Sequence, residues 1–203
     1  MAYFSFLRRL PFGLACLLAV SATAPQPLTL QVFDQRGLPV EGAVIEIAPP
    51  PGSARPLAFP WRNAMAQHNL AFQPGTLIVP VGADVAFPNL DAVRHSIYSF
   101  SKTARFQIDL YGRDQSRSQR FTIPGTVALG CNIHDKMRGY IRVVTTPFAA
   151  ATDLNGLGRI DGLAPGAYRV TIWHPRLRAA TNELVQTVVF APGQRARVTI
   201  DER

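Results

Sequence analysis

Gly130-Cys131-Asn132-Ile133-His134-Asp135-Lys136-Met137-Arg138-Gly139 sets a cysteine, a histidine and a methionine at C-x2-H-x2-M spacing, in a loop between two strand-like runs. A second histidine, His95, closes Phe87-Pro88-Asn89-Leu90-Asp91-Ala92-Val93-Arg94-His95, 36 residues before the cysteine. One thiolate, two imidazoles and a thioether are the donor set of a blue-copper centre. The imidazoles and thiolate form a trigonal plane, and the thioether makes a weak, long axial bond. Such a set serves both Cu(I) and Cu(II), so little reorganisation accompanies the gain or loss of an electron. Taken singly, each residue has a plainer explanation. Cys131 alone reads as a small buried hydrophobe, Met137 as core filler, and either histidine as a loop residue. Their joint occurrence outweighs those readings, because the chain has only three Met and four His. Zinc held by Cys131, the two histidines and Asp135 or water is the competing site, but Met137 gives no reason for zinc.

Outward from this loop the chain reads as strands. Leu28 to Val32 alternates apolar and polar residues, as a half-buried strand does. Further strand-like runs cover 43–47, 77–81, 84–87, 96–100, 120–123, 139–144, 168–173, 185–189 and 196–200. Turn signals such as Val81-Gly82, Pro124-Gly125, Pro165-Gly166 and Pro192-Gly193 separate them. Many short strands at short spacing predict antiparallel β-sandwiches. Ala48 to Pro60 is Pro-rich and reads as an extended linker. Leu177 to Leu184 is the one stretch expected to form a short helix. Seventeen Pro and fifteen Gly in 203 residues exclude a helix bundle, and two Cys exclude a disulfide scaffold.

The stretch Trp61 to Thr146 resembles the cupredoxin family, which includes plastocyanin, pseudoazurin and amicyanin. Phe72-Gln73-Pro74 and Ile78 to Asn89 look like the family's strand pair leading to its first His. Cys131, His134, Met137 and Gly139-Tyr140-Ile141 look like its ligand loop and following strand. The short loop is similar to that of amicyanin and of cupredoxin-like proteins associated with methylamine utilisation. The resemblance implies one copper ion, Cu(I)/Cu(II), with His95, Cys131 and His134 equatorial and Met137 axial. It also implies that Asn89 and Asp91 brace the loop before His95. Two positions depart from the family pattern. Ser96 follows the first His where many members have Asn, and Gly130 precedes the Cys where many have an aromatic residue.

The flanks resemble another family when read together. Val32 to Val44 looks like the opening of a carboxypeptidase-regulatory-like sandwich, and Thr152 to Val170 like its middle. Neither flank holds enough strands alone, but 28–48 plus 147–203 supply about five, enough for a small sheet pair. The expected architecture is therefore all-β: a cupredoxin Greek-key sandwich, 61–146, inserted in or packed beside a second small, split β-sandwich. Neighbouring chain ends permit such an insertion. His68 and His174 are expected to be structural. Asp153, Asn155 and Asp161 lack the spacing of an EF-hand loop and read as a turn-rich hairpin.

Residues 1–22 are expected to be a signal peptide. Arg8 and Arg9 precede an apolar run from Leu10 to Val20, with Val20-Ser21-Ala22 as the cleavage site. The run is shorter than the ~17–25 residues of a spanning helix, so no stable membrane insertion is expected after cleavage. Cleavage would remove Cys16 and leave Cys131 as a lone thiol in a compartment that favours disulfides. A periplasmic or otherwise secreted location follows, and nucleic acid is excluded as a partner on that ground. The chain carries a formal charge of +8. Arg94, Lys102, Arg105, Arg113, Arg117 and Arg120 fall in one stretch, against Asp109 and Asp114. A solvated face explains them; so does docking of an acidic cytochrome or dehydrogenase as redox partner. No catalytic acid–base pair or nucleophile stands out, so an enzyme is not expected. Electron carriage leads, with a copper carrier or storage protein, or an interaction module with a vestigial site, as the alternatives.

Overall fold

The structure is a computed structural model and describes residues 27–53 and 55–203. The proposed signal peptide lies outside them. Sixteen strands and no helix make up the described residues, so the chain is all-β. None of the described elements is a helix long and apolar enough to cross a membrane.

The first two strands, β1 (Leu28–Asp34) and β2 (Val44–Ile47), share their sheets with the last five. These are β12 (Ala149–Ala151), β13 (Leu157–Ile160), β14 (Gly166–Trp173), β15 (Glu183–Phe190) and β16 (Arg195–Ile200). A three-stranded sheet runs β13-β1-β16, with β1 parallel to β16, and a four-stranded sheet runs β12-β2-β14-β15. The alternation of β1 is the cause of its place: Leu28, Leu30, Val32 and Asp34 are buried, and the residues between them are half-buried. Each apolar side chain so covered contributes about 1.5–3 kcal/mol. They meet Ile45, Ile47, Ile172, Phe190 and Val198 in one core.

Between these flanks come β3 (Ala66–His68), β4 (Ala71–Gln73), β5 (Thr76–Pro80), β6 (Ala83–Pro88), β7 (His95–Ser101), β8 (Ala104–Tyr111), β9 (Ser116–Phe121), β10 (Gly125–Gly130) and β11 (Arg138–Val144). A five-stranded sheet runs β5-β11-β10-β7-β8, faced by the pairs β6-β9 and β3-β4. Val79, Val85, Phe87, Ile97, Phe121 and Ile141 fill the space between them. Cys131 and Met137 belong to the same buried cluster.

A third cluster joins the two parts. Val44, Ile78, Val144, Ala149 and Trp173 pack together, and Tyr140 meets the Trp173 ring edge-on at 5.3 Å. Beside them Arg142 of β11 is buried and bonded to Glu46 of β2, Glu183 of β15 (2.7 Å) and Thr126 (2.9 Å). Burial raises the Glu46 pKa, and the Arg142 guanidinium opposes that rise.

The short helix expected over Leu177 to Leu184 does not form. Leu177 makes a β-bridge with Glu202, and the chain turns before β15 begins at Glu183. Asn182, at φ 55°, donates its side-chain N–H groups to the Pro175 and Leu177 carbonyls and holds that turn. β3, β8, β10, β12 and β13 fall outside the expected runs. β8 is half-buried to exposed along most of its length, and β10 is bounded by Gly125 and Gly130, which read as loop.

Candidate metal centre

Cys131 to Met137 is the loop that closes the β10–β11 hairpin, with Gly130 opposite Arg138 as its last pair. Gly130 also pairs with Tyr98 of β7, the strand that begins at His95. The topology thus brings residues 36 apart to one end of one sheet. A bulge aims the first histidine. His95 faces Tyr111 and Ile97 faces Ile108, so β8 spends one extra residue between those pairs and the local twist increases.

His95, Cys131 and His134 converge. The two Nδ1 atoms lie 3.1 Å apart, and Cys131 Sγ lies 3.8 Å from His95 Nδ1 and 3.6 Å from His134 Nδ1. A point equidistant from three atoms so spaced lies about 2.0 Å from each, the length of a metal–imidazole bond. The donor set therefore fits a single ion. His95 and Cys131 are buried and His134 is half-buried, so one imidazole reaches the surface. Met137 is 1% exposed and donates its backbone N–H to the His134 carbonyl (2.8 Å), which tightens the loop.

The tautomer of His95 is set from behind. Its Nε2 donates to Asp91 Oδ2 at 2.8 Å, which leaves Nδ1 as a lone pair facing the thiol. Asp91 also accepts the backbone N–H groups of Asn69 (2.7 Å) and Leu70 (3.0 Å). Burial raises its pKa, but these bonds from Leu70, His95 and Asn69 outweigh that and hold it below the usual carboxylate range. Asn69 and Leu70 sit at φ 54° and 57° and form the two-residue turn between β3 and β4. Left-handed backbone is costly for leucine; the carboxylate offsets part of that cost. Asn89 is fully buried. It donates to the Val93 and Tyr111 carbonyls (2.9 and 3.0 Å) and accepts the Asp91 N–H (2.9 Å), so its amide ties the loop before His95 to β8.

Ser96 stands at the departure from the family pattern. Its Oγ accepts the Asn132 N–H at 3.1 Å and lies 3.9 Å from Cys131 Sγ. The hydroxyl therefore links the two ligand-bearing segments. Gly130 is explained by its cross-strand partner: an added Cβ would fall 2.5 Å from the Tyr98 ring. The sequence also gave no warning of Tyr111. Its hydroxyl donates to the Phe87 carbonyl (2.9 Å) and accepts from Gln67, and burial pushes its pKa up to about 12. His68 lies 3.8 Å from Asp91, and His174 lies far off in the other sheet pair, against Glu202.

No protein-family model and no curated protein matches the chain. Parts of solved structures do. An oxidized amicyanin variant is 25% identical over 40% of this chain and 80% of its own, at a TM-score of 0.38. A copper-containing nitrite reductase from Thermus scotoductus SA-01 is 26% identical over 47% of this chain, at 0.39, and the match spans 25% of that enzyme. A purple cupredoxin from Nitrosopumilus maritimus is 20% identical over 40% of this chain and 98% of its own, at 0.36.

Proposed function

We propose that this chain is an exported mononuclear copper protein that carries single electrons between redox partners. The observation that carries this reading is the triangle of His95 Nδ1, Cys131 Sγ and His134 Nδ1. A thiolate beside two imidazoles, with a thioether in the same loop, favours copper over zinc. Copper would supply one-electron exchange between Cu(I) and Cu(II). The protein's own residues supply the rest. Asp91 fixes the His95 tautomer, Asn89 fixes Asp91, and Ser96 holds Asn132 and with it the cysteine. In this reading Met137 is the weak axial donor.

The half-buried His134 is the natural point of electron entry. Leu90, Val93 and Ile133 are exposed beside the ligand segments. Arg94, Leu110 and Ile133 share one hollow with Ser96. Asp109 lines the same hollow. The surplus of Arg94, Lys102, Arg105, Arg113, Arg117 and Arg120 over Asp109 and Asp114 in that stretch is what suits an acidic redox protein. Strand pairing supports taking 28–48 plus 147–203 as a split sandwich of the carboxypeptidase-regulatory kind, with 61–146 as the cupredoxin-like unit it carries.

Titration of the purified chain with Cu(II), followed by visible and EPR spectra, tests the reading. We expect an intense thiolate-to-copper band saturating at one copper per chain and reversible reduction. The band is absent in Cys131→Ser. Copper taken up without that band, or equally by the variant, sinks the assignment.

A further inference from the structure

Three sheet edges meet where the two halves of the molecule join. β5 is the outer strand of the five-stranded sheet, β12 of the four-stranded sheet and β13 of the three-stranded sheet. Between them lies a cavity of about 480 Å³. Its floor is apolar: Pro74, Leu77, Ile78, Ala150 and Leu157. Trp61 forms one wall. Its indole N–H donates to the Ile78 carbonyl (2.8 Å), and its ring is stacked on Phe59 at 4.7 Å. The cavity is not a breathing gap, because the same junction is filled alongside by the Val44–Trp173 cluster and clamped by buried Arg142. Preformed apolar pockets with a few convergent polar groups, set between packed units, are the usual form of small-ligand sites.

The charged groups at the rim are two arginines and one acid. Arg62 and Arg159 both line the cavity. Neither guanidinium is ion-paired among the described residues. Asp153 is the lone acid at the rim, and its Oδ1 already accepts the backbone N–H groups of Asn155 (2.8 Å) and Leu157 (3.0 Å). Two unpaired guanidiniums over an apolar floor select a ligand with a carboxylate at one end, because that head can take paired N–H bonds. They disfavour a cation by repulsion, and a neutral apolar molecule gains nothing from them because the exposed guanidiniums stay hydrated.

We propose that this junction binds an amphipathic carboxylate, its head at Arg62 and Arg159 and its apolar part over Leu77, Ile78 and Leu157. The site is separate from the metal centre and does not depend on it. Decanoate is the probe, added to the full chain with and without copper. Trp61 is the reporter: the chain has two tryptophans, and the other, Trp173, is buried. We expect a saturable change in tryptophan fluorescence and a matching one-to-one heat in calorimetry, in both metal states. Trp61→Phe should lose the fluorescence change and keep the heat. The Arg62→Gln, Arg159→Gln double variant, altered only at exposed positions, should bind at least about tenfold more weakly. Ala150→Phe should block the cavity. The proposal is overturned if calorimetry shows no saturable binding, if the double variant binds as tightly, or if decanol competes as well as decanoate.

Discussion

Two buried histidines face carboxylates in this molecule, and their surroundings differ. His95 sends Nε2 to Asp91 in a hydrogen bond of 2.8 Å and turns Nδ1 toward a thiol and a second imidazole. His174 has Nδ1 2.7 Å from Glu202 Oε1, but off the line of a good hydrogen bond, with Arg176 on the same carboxylate. Asp91 spends its other bonds on a turn in a distant strand pair, so it braces one ring from outside. Glu202 belongs to the chain's last residues and clamps an end. A buried His–carboxylate pair is therefore no sign of a metal site by itself. Convergence of further donors on the ring's free nitrogen is what separates the two regions.

The sharpest way to break this comparison is to exchange the histidines' fates. His95→Gln should abolish stoichiometric metal uptake, an effect larger than the ~10–100-fold that outer partners cost. His174→Gln should leave uptake unchanged and cost about 0.5–3 kcal/mol of stability in urea unfolding, through the lost packing of a buried ring. Equal uptake by both variants would erase the distinction.

A smaller effect comes from the carboxylates. Asp91→Asn should weaken metal affinity by about 10–100-fold, measured by competition with a chelator, because the His95 tautomer loses its anchor. Glu202→Gln should not move it. A drop of the same size in both would mean that the loss travels through the fold rather than through His95.

The smallest effect is a slope with pH. Burial lowers the His174 pKa from the ordinary 6.5; Glu202 and the bond to the Glu41 backbone oppose that, and Arg176 adds to it. The folded state thus binds fewer protons than the unfolded chain just below pH 6.5. Stability should decline as pH falls through that value, and level off once the folded group is protonated too. In His174→Gln the decline should be shallower. An unchanged slope would assign the effect to other groups.

What was legible in the sequence follows from where the information sits. His95, Cys131 and His134 could be singled out because donors of those types are rare in this chain, and the structure brings them together. The alternating run of β1 and the β-branched, apolar runs of β11 and β14 were legible from local pattern. Of the braces, Asn89 and Asp91 were expected through the family resemblance alone, and the others were not legible. Ser96 looks like any strand serine until Asn132 is placed against it. Gln67 and Tyr111 come from two segments and meet only in the folded state. β10 was hidden by its bounding glycines, one of which exists to admit the Tyr98 ring. The false helix at Leu177 had helical spacing, but Pro175 and the Asn182 bonds spend the same backbone on a turn.

The turn between β3 and β4 carries a further consequence. Its two amides, Asn69 and Leu70, are held by the carboxylate that also grips His95. Two backbone amides at the tip of a strand pair and a candidate ligand thus share one anchor. Hydrogen–deuterium exchange at those two amides becomes a local gauge of how firmly the imidazole is seated. It can be read with or without added metal, from residues outside the candidate site.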